Sequence, residues 1–391
     1  MNKYDFYAPT EVHFGVGQLD NLHKLSLPGK KALLVISNGK SAKTSGALER
    51  TQRQLEMANV KYVLFSEIEA NPLKATVEKG GKFARENKCD FIVALGGGSV
   101  MDACKAIATM AVNDGDLWDY VVGGTGKGKP IPVTPIPIVA ITTTAGTGSE
   151  VDEYGVITNP QTHEKIGFGG DRALFPKIAI VDPQLMVTVP PKFTAYQGFD
   201  ALFHSTETYI CNIANPMSDM VASTAIKSVA GYLARAVADG SDIEARTQVA
   251  FGNTMSGYSM VVGNCTSEHS LEHAMSAYHQ QLPHGAGLIM ISLAYYRFFI
   301  DKHVCDERFV DMAKFMGIPD ATKPQDFLTA LSNLQKACGV DDLKMSDYGI
   351  TPEEFPVLAK NAMESMGGLF TVDRYPLTLE DCVSIYKDAY R

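Results

Sequence analysis

Short β-type runs alternate with helical runs from residue 31 to about residue 182, and this alternation limits the possible folds more than any other feature. The run KALLVIS at 31–37 predicts a buried strand, residues 45–59 predict a helix, and residues 61–66 predict a second strand. Residues 71–87 predict another helix, which is followed by the β-type run DFIVALGGG. This order of elements predicts a parallel sheet covered by helices, in which ligands bind at the carboxyl ends of the strands.

Two turns rich in glycine and hydroxyl groups follow strands of this predicted sheet. Three glycines at 96–98 come directly after a β-type run and before a helix, with Ser99 in its first turn. Glycine has no Cβ, so backbone N–H groups here can approach a phosphate at the positive end of the helix. The predicted strand at 135–141 leads into a second such turn, TTTAGTGSE, at 142–150. A triple glycine can also be a simple tight turn, but two such turns in one sheet favour a bound dinucleotide.

Beyond Asp182-Pro183 and Pro190-Pro191 the β-type alternation ends and helical periodicity takes over. The segments that predict helices are 194–211, 217–237, 243–262, 268–277, 325–338, 352–365 and 378–390. We therefore expect two domains, an α/β domain over residues 1–183 and an all-α domain over residues 184–391.

Four of the nine histidines fall in one short stretch of the helical part, SEHSLEHAMSAYHQQLPHGAG. His269 and His273 are one helical turn apart and share a face, whereas His284 follows Pro283, where a new segment begins. Upstream, the motif GFDALFH places Asp200 and His204 at the same one-turn spacing. An isolated Asp–His pair on a helix is usually a surface ion pair. The two half-sites together nevertheless favour a divalent metal, because imidazole suits iron, zinc, copper or nickel.

The overall charge of the chain disfavours two classes of binding partner. A net charge of −9 and a sequence pI near 5.5 argue against binding to nucleic acid or to anionic membranes, which favour basic patches. The longest apolar run, 288–300, contains Arg297 and is too short to span a bilayer. The Tyr- and Phe-rich residues 4–14 are candidates for pairing across a two-fold axis, so a homodimer is our expectation for assembly.

The cysteines and the N-terminus bear on the compartment. The seven cysteines include no C-x-x-C pair, and their odd number predicts free thiols rather than a disulfide framework. The start MNKYDFYAPTEVHF lacks the apolar core of a signal peptide. Both observations indicate a cytoplasmic protein.

Four motifs, in order, resemble those of the iron-containing (group III) alcohol dehydrogenases. GGGSVMDACKA is similar to the pyrophosphate loop of that family, and TTAGTGSE is similar to its nucleotide-contact turn. GFDALFH and the combination H-x-x-x-H…PHG resemble its two metal signatures. The resemblance covers nearly the whole chain. It implies a Rossmann-like α/β domain with a parallel sheet, followed by an all-α domain, the fold that this family shares with dehydroquinate synthase.

The resemblance also implies roles for single residues. The implied metal ligands are Asp200, His204, His269 and His284, with His273 as a non-ligating histidine near the nicotinamide. The implied cofactor contacts are Asn71, Gly97, Gly98, Ser99, Asp102, Thr143, Thr144, Thr147 and Lys165. The spacing 284 − 269 = 15 is one residue longer than is commonest in the family. The extra residue lies in HQQLP, and it leaves His273 as a competitor of His269 for the metal.

The implied activity is hydride transfer between a nicotinamide cofactor and a primary alcohol or aldehyde, with short aliphatic chains as the expected substrates. A divalent cation, Fe²⁺ in the family and Zn²⁺ or another ion by donor chemistry, acidifies the alcohol or polarises the carbonyl. His273 is the candidate general acid–base. The alternative for His273 is a hydrogen bond that orients a ligand.

Two other functions are open to such a chain. A dehydroquinate-synthase-like cyclase would act on a phosphorylated sugar acid and place several Lys and Arg residues near the metal. The stretches 194–211 and 264–287 contain neither residue type, which argues against the cyclase. A non-catalytic nucleotide-binding protein would not need a four-ligand metal site.

The turn after the first predicted strand bears on the choice of dinucleotide. Ser37, Gly39, Lys40 and Ser41 carry no negative charge, and no acidic residue follows until Glu49. In the family, an Asp at the position of Gly39 goes with NAD and a small residue goes with NADP. The two hydroxyls and the lysine offer donors and positive charge to a 2′-phosphate. We therefore expect NADP(H) to be preferred over NAD(H), the alternative being that 37–41 is only a solvated turn.

Overall fold

Eight strands and fourteen α-helices form in residues 3–391, which are the part of the chain that this computed structural model describes. The strands are β1 (Glu11–Phe14), β2 (Lys31–Ser37), β3 (Lys61–Ile68), β4 (Phe91–Gly96), β5 (Ile138–Thr142), β6 (Gly155–Asn159), β7 (Glu164–Phe168) and β8 (Ile178–Val181). The first helices are α1 (Ser41–Thr44), α2 (Ala47–Met57), α3 (Lys74–Glu86) and α4 (Gly98–Met110). The later helices are α5 (Pro191–Ile210), α6 (Pro216–Ala238), α7 (Ile243–Val262), α8 (Ser267–Tyr278), α9 (His284–Asp301), α10 (Asp306–Phe315), α11 (Gln325–Ala337), α12 (Phe355–Ser365), α13 (Gly367–Phe370) and α14 (Leu379–Ala389).

The main sheet has six strands in the order β1-β8-β5-β4-β2-β3, and its pairs are parallel. Every residue of β4 and β5 is buried, as expected for inner strands covered on both faces by other elements. Strands β6 and β7 form a separate two-stranded sheet. Because parallel strands end at one edge of a sheet, the turns after β2, β4 and β5 lie along the same edge.

The chain divides into two compact units. The first, the α/β unit, comprises Ala8–Thr162 and Ile166–Thr188 and contains the six-stranded sheet with α1–α4. The second, the helical unit, comprises Val189–Arg391 with α5–α14, residues 3–7, and the three residues His163–Lys165. No helix in residues 3–391 combines the length and the apolar character needed to cross a lipid bilayer.

Helices α5 and α8 of the helical unit are enclosed by other parts of the protein on nearly all sides. In α5 every residue from Asp200 to Ile210 is buried, and α8 is buried from Ser267 to Ala277. The core beside them is rich in aromatic side chains, among which Tyr295, Tyr296 and Phe299 of α9 are fully buried. Polar side chains in such helices must find partners inside the protein, since water does not reach them.

The predicted fold class is confirmed: a parallel α/β sheet is followed by a helical part. The sequence analysis did not identify β1, β6, β7 or β8 as individual strands, because strands of four or five residues show little alternation. It also missed α9 and α10. Helix α9 is buried over most of its surface, so its sequence shows little of the stripe that marks a half-exposed helix.

Candidate active site

Three helices of the helical unit bring one carboxylate and three imidazoles together. Asp200 and His204 lie one turn apart on α5, His269 lies on α8, and His284 is the first residue of α9. Asp200 Oδ1 is 3.6 Å from His204 Nε2, 3.5 Å from His269 Nε2 and 3.4 Å from His284 Nε2. The rings of His204 and His269 stack, with their centroids 4.4 Å apart.

The three distances from Asp200 Oδ1 match the separation expected between neighbouring ligand atoms of one metal ion. Metal bonds of about 2.1 Å to His nitrogen and carboxylate oxygen place neighbouring donor atoms about 3.4 Å apart. Asp200 Oδ1 and His269 Nε2 are buried and have no hydrogen-bond partner, although buried polar atoms are normally paired. A divalent cation among the four side chains would satisfy both atoms, so the residues present fit the metal that the sequence motifs imply.

Charge favours the anionic form of Asp200. Burial by itself would raise the pKa of this carboxyl, but the imidazoles of His204 and His284 outweigh burial and hold the pKa well below its usual range. Asp200 is therefore ionised at neutral pH and supplies the negative charge that a cation site requires.

Two buried glutamates contact the imidazoles of His269 and His284 through their Nδ1 atoms. Glu207 Oε1 accepts a hydrogen bond from His269 Nδ1, and Glu272 Oε2 accepts one from His284 Nδ1. A carboxylate can only accept, so Nδ1 of each ring carries a proton, and Nε2 is the nitrogen that a metal beside Asp200 would take. This arrangement of carboxylate, imidazole and metal is the usual outer support of a metal site.

The sequence analysis named neither Glu207 nor Glu272. The sequence does contain a signal for them, since each lies at helical spacing near a predicted ligand. Glu207 lies one turn after His204. Glu272 lies one turn after Glu268, which directly precedes His269. Helical spacing alone did not show which of these carboxylates would face an imidazole.

His273 lies beside His269 and His284. Its ring lies 5.2 Å from that of His284 and 6.2 Å from that of His269, and its buried Nδ1 has no hydrogen-bond partner. Burial and the nearby Lys165 ammonium lower the pKa of His273 well below its usual value. His273 is therefore a neutral imidazole at neutral pH, next to the group of donors around Asp200.

Two further donor sets overlap with this group. His204, Cys265 and His269 form one, and Glu272, His273 and His284 form the other. Burial raises the pKa of the Cys265 thiol to about 11, which disfavours the thiolate form that metals bind. The Glu272 set also offers a carboxylate, but its Oε2 already contacts His284 Nδ1 and Lys165 Nζ. Asp200 forms a third set with His269 and His284, in which Asp200 Oδ1 has no hydrogen-bond partner.

Lys165 lies within the helical unit and contacts this same region. Its side chain is 5% exposed, and Nζ donates to Ser276 Oγ at 2.9 Å and lies 3.3 Å from Glu272 Oε2. The resemblance implied a cofactor contact for Lys165. In the structure the Lys165 ammonium lies beside Glu272, the glutamate that accepts from His284 Nδ1.

In the α/β unit, the two predicted nucleotide turns pack side by side after β4 and β5. A methyl group on Gly98 would lie 2.2 Å from Thr147 Cγ2, and one on Gly97 would lie 2.7 Å from Thr144 Oγ1. Thr143 N donates to Gly96 O at 2.9 Å. Only glycine fits at 97 and 98, so the backbone at the start of α4 stays accessible to a phosphate.

Ser99 and Asp102 of α4 already have partners in the protein. The Ser99 hydroxyl donates to the carbonyl of Ala70, which places Asn71 beside the glycine turn. Asp102 accepts from Ser149 Oγ at 2.7 Å and from Val156 N at 2.9 Å. Burial raises the pKa of Asp102 to about 6, although Lys105 and these hydrogen bonds oppose the rise.

The turn after β2 is open. Ser37 ends β2, Ser41 begins α1, and Gly39 and Lys40 between them are exposed. A methyl group on Gly39 would lie 3.5 Å from Ser37 Oγ, an ordinary contact. A methyl group therefore fits at position 39, which is exposed to solvent.

Comparison with known protein families decides between the functions left open. The family model described as iron-containing alcohol dehydrogenase matches residues 9–183, and the model for the C-terminal part of that family matches residues 194–390. The chain belongs to the iron-containing alcohol dehydrogenase family. It is therefore an oxidoreductase of alcohols and aldehydes, and the cyclase and the non-catalytic alternatives are set aside.

Relatives of this alcohol dehydrogenase cover its full length. The 1,3-propanediol dehydrogenase of Klebsiella pneumoniae is 32% identical over 99% of both chains. The NADH-dependent butanol dehydrogenase A of Clostridium acetobutylicum is 30% identical over 100% of both. A solved archaeal alcohol dehydrogenase from a Red Sea brine pool is 33% identical with a TM-score of 0.93, covering 100% of this chain and 99% of its own. These names support a metal and a nicotinamide cofactor for this family member.

Proposed function

We propose that this family member is a metal-dependent dehydrogenase of short-chain primary alcohols and aldehydes that prefers NADP(H) over NAD(H). The observation that carries the proposal is the position of Asp200 Oδ1, within 3.4 to 3.6 Å of the Nε2 atoms of His204, His269 and His284. These four side chains are the proposed ligands of Fe²⁺, with Zn²⁺ as the alternative that the same donors accept.

The protein's own groups have separate tasks in this proposal. When bound, the cation supplies a Lewis acid that stabilises negative charge on the substrate oxygen, and the nicotinamide supplies the hydride acceptor or donor. Glu207 and Glu272 orient the imidazoles, as their contacts with Nδ1 indicate. His273, neutral and next to the ligands, is the proposed group that moves the alcohol proton.

The proposed dinucleotide contacts lie along one edge of the six-stranded sheet. Gly97, Gly98 and Ser99 would hold the pyrophosphate at the start of α4, with Asp102 behind them. Asn71 and the threonines at 143, 144 and 147 lie in neighbouring turns. Ser37, Gly39, Lys40 and Ser41 would surround the 2′-phosphate, because that turn has hydroxyls, a positive charge and open space.

Metal analysis of purified variants tests the proposal. His204→Ala and His284→Ala should each lose the metal and all turnover of butyraldehyde with NADPH, because each removes one of four donors. His279→Ala is the matched control, since His279 directly follows α8 but pairs with Glu354 at 3.1 Å. Full metal occupancy in either ligand variant would remove that residue from the proposed set.

A further inference from the structure

Lys165 is a buried cation whose partners all lie in the helical unit. Its Nζ donates to Ser276 Oγ at 2.9 Å, lies 3.3 Å from Glu272 Oε2, and lies 3.4 Å from His284 Nδ1. Removing an ammonium from water is costly unless a charged partner compensates. Glu272 is that partner.

Glu272 is enclosed on the side of α9 as well. Its side chain is fully buried on α8, and Oε2 accepts from His284 Nδ1 while it also contacts the lysine. A methyl group on Gly287 would lie 2.7 Å from Glu272 Cγ, so the glycine lets α9 pack directly on this side chain. One carboxylate oxygen therefore serves both Lys165 and His284, which couples the two residues.

The segment that carries Lys165 is itself fastened to the helical unit. The His163 ring stacks on that of Tyr278, with centroids 4.6 Å apart, and its carbonyl accepts from Asn361 Nδ2 at 2.9 Å. His163 has a φ of 52°, a left-handed conformation that is uncommon outside glycine and is held here by these contacts. The backbone before Lys165 is thus fixed on α8 and α12.

We propose that Lys165 and Glu272 are positioning residues for His284. Lys165 holds the Glu272 carboxylate in place, and Glu272 accepts the Nδ1 proton of His284, which directs the Nε2 lone pair at the metal position beside Asp200. This inference rests on the proposed metal site, and it gives Lys165 a different task from the cofactor contact that family resemblance implies.

His269 provides an internal comparison. Its Nδ1 also faces a buried carboxylate, but Glu207 is held by neutral donors: Oε2 accepts from Thr266 N at 2.7 Å and Thr266 Oγ1 at 2.9 Å. Both imidazoles are thus supported by a buried glutamate. Only Glu272, which supports His284, is itself held by a lysine.

Metal affinity measured without turnover tests the inference. Zn²⁺ binding by competition with a chromogenic chelator is compared for the unaltered protein, Lys165→Met, Glu272→Gln and the double variant. Each single variant should bind Zn²⁺ about 10- to 100-fold more weakly, the usual effect of losing an outer partner. The double variant should be no worse than the more affected single variant, because both changes disable one chain of contacts.

Glu207→Gln is the matched control for this coupling. Combined with Lys165→Met, its loss of affinity should multiply with that of the lysine variant, since Glu207 supports a different imidazole. Melting temperatures of the metal-free proteins check folding. If Glu272→Gln does not fold, the comparison of Lys165→Met alone and with Glu207→Gln still decides.

The outcomes separate the inference from the proposed function. If Lys165→Met binds Zn²⁺ as tightly as the unaltered protein but binds NADPH more weakly, Lys165 serves the cofactor and the inference is wrong. If the unaltered protein binds no Zn²⁺ or Fe²⁺, the metal site itself fails. If Asp200→Ala abolishes binding while Lys165→Met leaves it unchanged, the metal site stands and only the positioning role is lost.

Discussion

At the scale of single residues, His273 is buried and one of its ring nitrogens has no hydrogen-bond partner. Its Nδ1 is buried without a hydrogen bond, and its pKa is lowered by burial and by Lys165, so a neutral ring lies beside the ligand group. His273→Ala should keep the metal but lose about 10²- to 10⁴-fold in turnover, as expected for a general acid–base group. Elemental analysis and steady-state rates with NADPH and butyraldehyde measure the two effects.

The same experiment checks the division of roles on α8. His269→Ala is the counterpart, because His269 Nε2 is 3.5 Å from Asp200 Oδ1. Loss of the metal in His273→Ala together with its retention in His269→Ala would reverse the assignment of the two histidines.

Gly39 is the residue on which the preference for the dinucleotide depends. The turn has room for a Cβ atom at this exposed position, and an Asp there would repel a 2′-phosphate and accept from a 2′-hydroxyl. We expect the unaltered enzyme to prefer NADP(H) by at least about tenfold in kcat/KM, or about 1.4 kcal/mol. Gly39→Asp should reduce or reverse this preference.

Gly39→Asn is the control for this change, since it adds nearly the same volume without charge. If NAD(H) already serves the unaltered enzyme as well as NADP(H), the turn after β2 does not discriminate between the two.

At the scale of secondary-structure elements, close approach of α9 to α5 brings His284 to Asp200. A methyl group on Gly285 would lie 2.2 Å from the Tyr196 carbonyl oxygen, and that backbone cannot move within its helix. Gly285→Ala should force the two helices apart, cost about 1–3 kcal/mol of stability, and weaken metal binding. Urea unfolding and chelator competition measure the two losses.

Gly231→Ala in α6 is the matched control, because no atom lies within 4 Å of the added methyl group. This substitution should stabilise the protein by about 0.5–1 kcal/mol, the ordinary helix preference of alanine over glycine. An unchanged or tighter metal site in Gly285→Ala would contradict the role given to the contact between α5 and α9.

At the scale of the whole molecule, one buried carboxyl makes stability depend on pH. Asp373 Oδ1 accepts from Ser267 N and from the Tyr295 hydroxyl, both at 3.3 Å, while Oδ2 is buried without a partner. Burial, with the charge of Glu207 adding to it, raises the pKa of Asp373 from 3.8 to about 7. Between these two values the folded state binds more protons than the unfolded state, so this group lowers the free energy of unfolding as pH rises.

Asp373→Asn keeps an oxygen acceptor and removes the charge. Relative to the unaltered protein, the variant should therefore gain stability as pH rises from about 4 to about 7, by at most about 1.4 kcal/mol per pH unit. Urea unfolding of both proteins across that range measures the difference, and groups common to both cancel. Parallel pH profiles would show that Asp373 titrates normally.

The sequence by itself determined the features that depend on neighbours along the chain. The glycine turn before α4 follows from three residues without Cβ between a strand and a helix, and the structure places that turn beside Thr144 and Thr147. Asp200 and His204 share a helix face because their spacing matches the helical period. The types of the two domains followed from such local patterns, and the reaction class followed from the resemblance of four motifs to a known family.

Tertiary structure decided whatever depends on residues far apart in the chain. His269 and His273 lie one turn apart on the same helix, so their spacing does not show which of them faces Asp200. Only the packing of α8 against α5 turns His269 toward Asp200. Lys165 and Glu272 are 107 residues apart, so no sequence period links them. Helix α9 was missed because a helix that is buried over most of its surface shows little amphipathic stripe. Local spacing sets which side chains share a face, whereas only the packed core sets which faces meet.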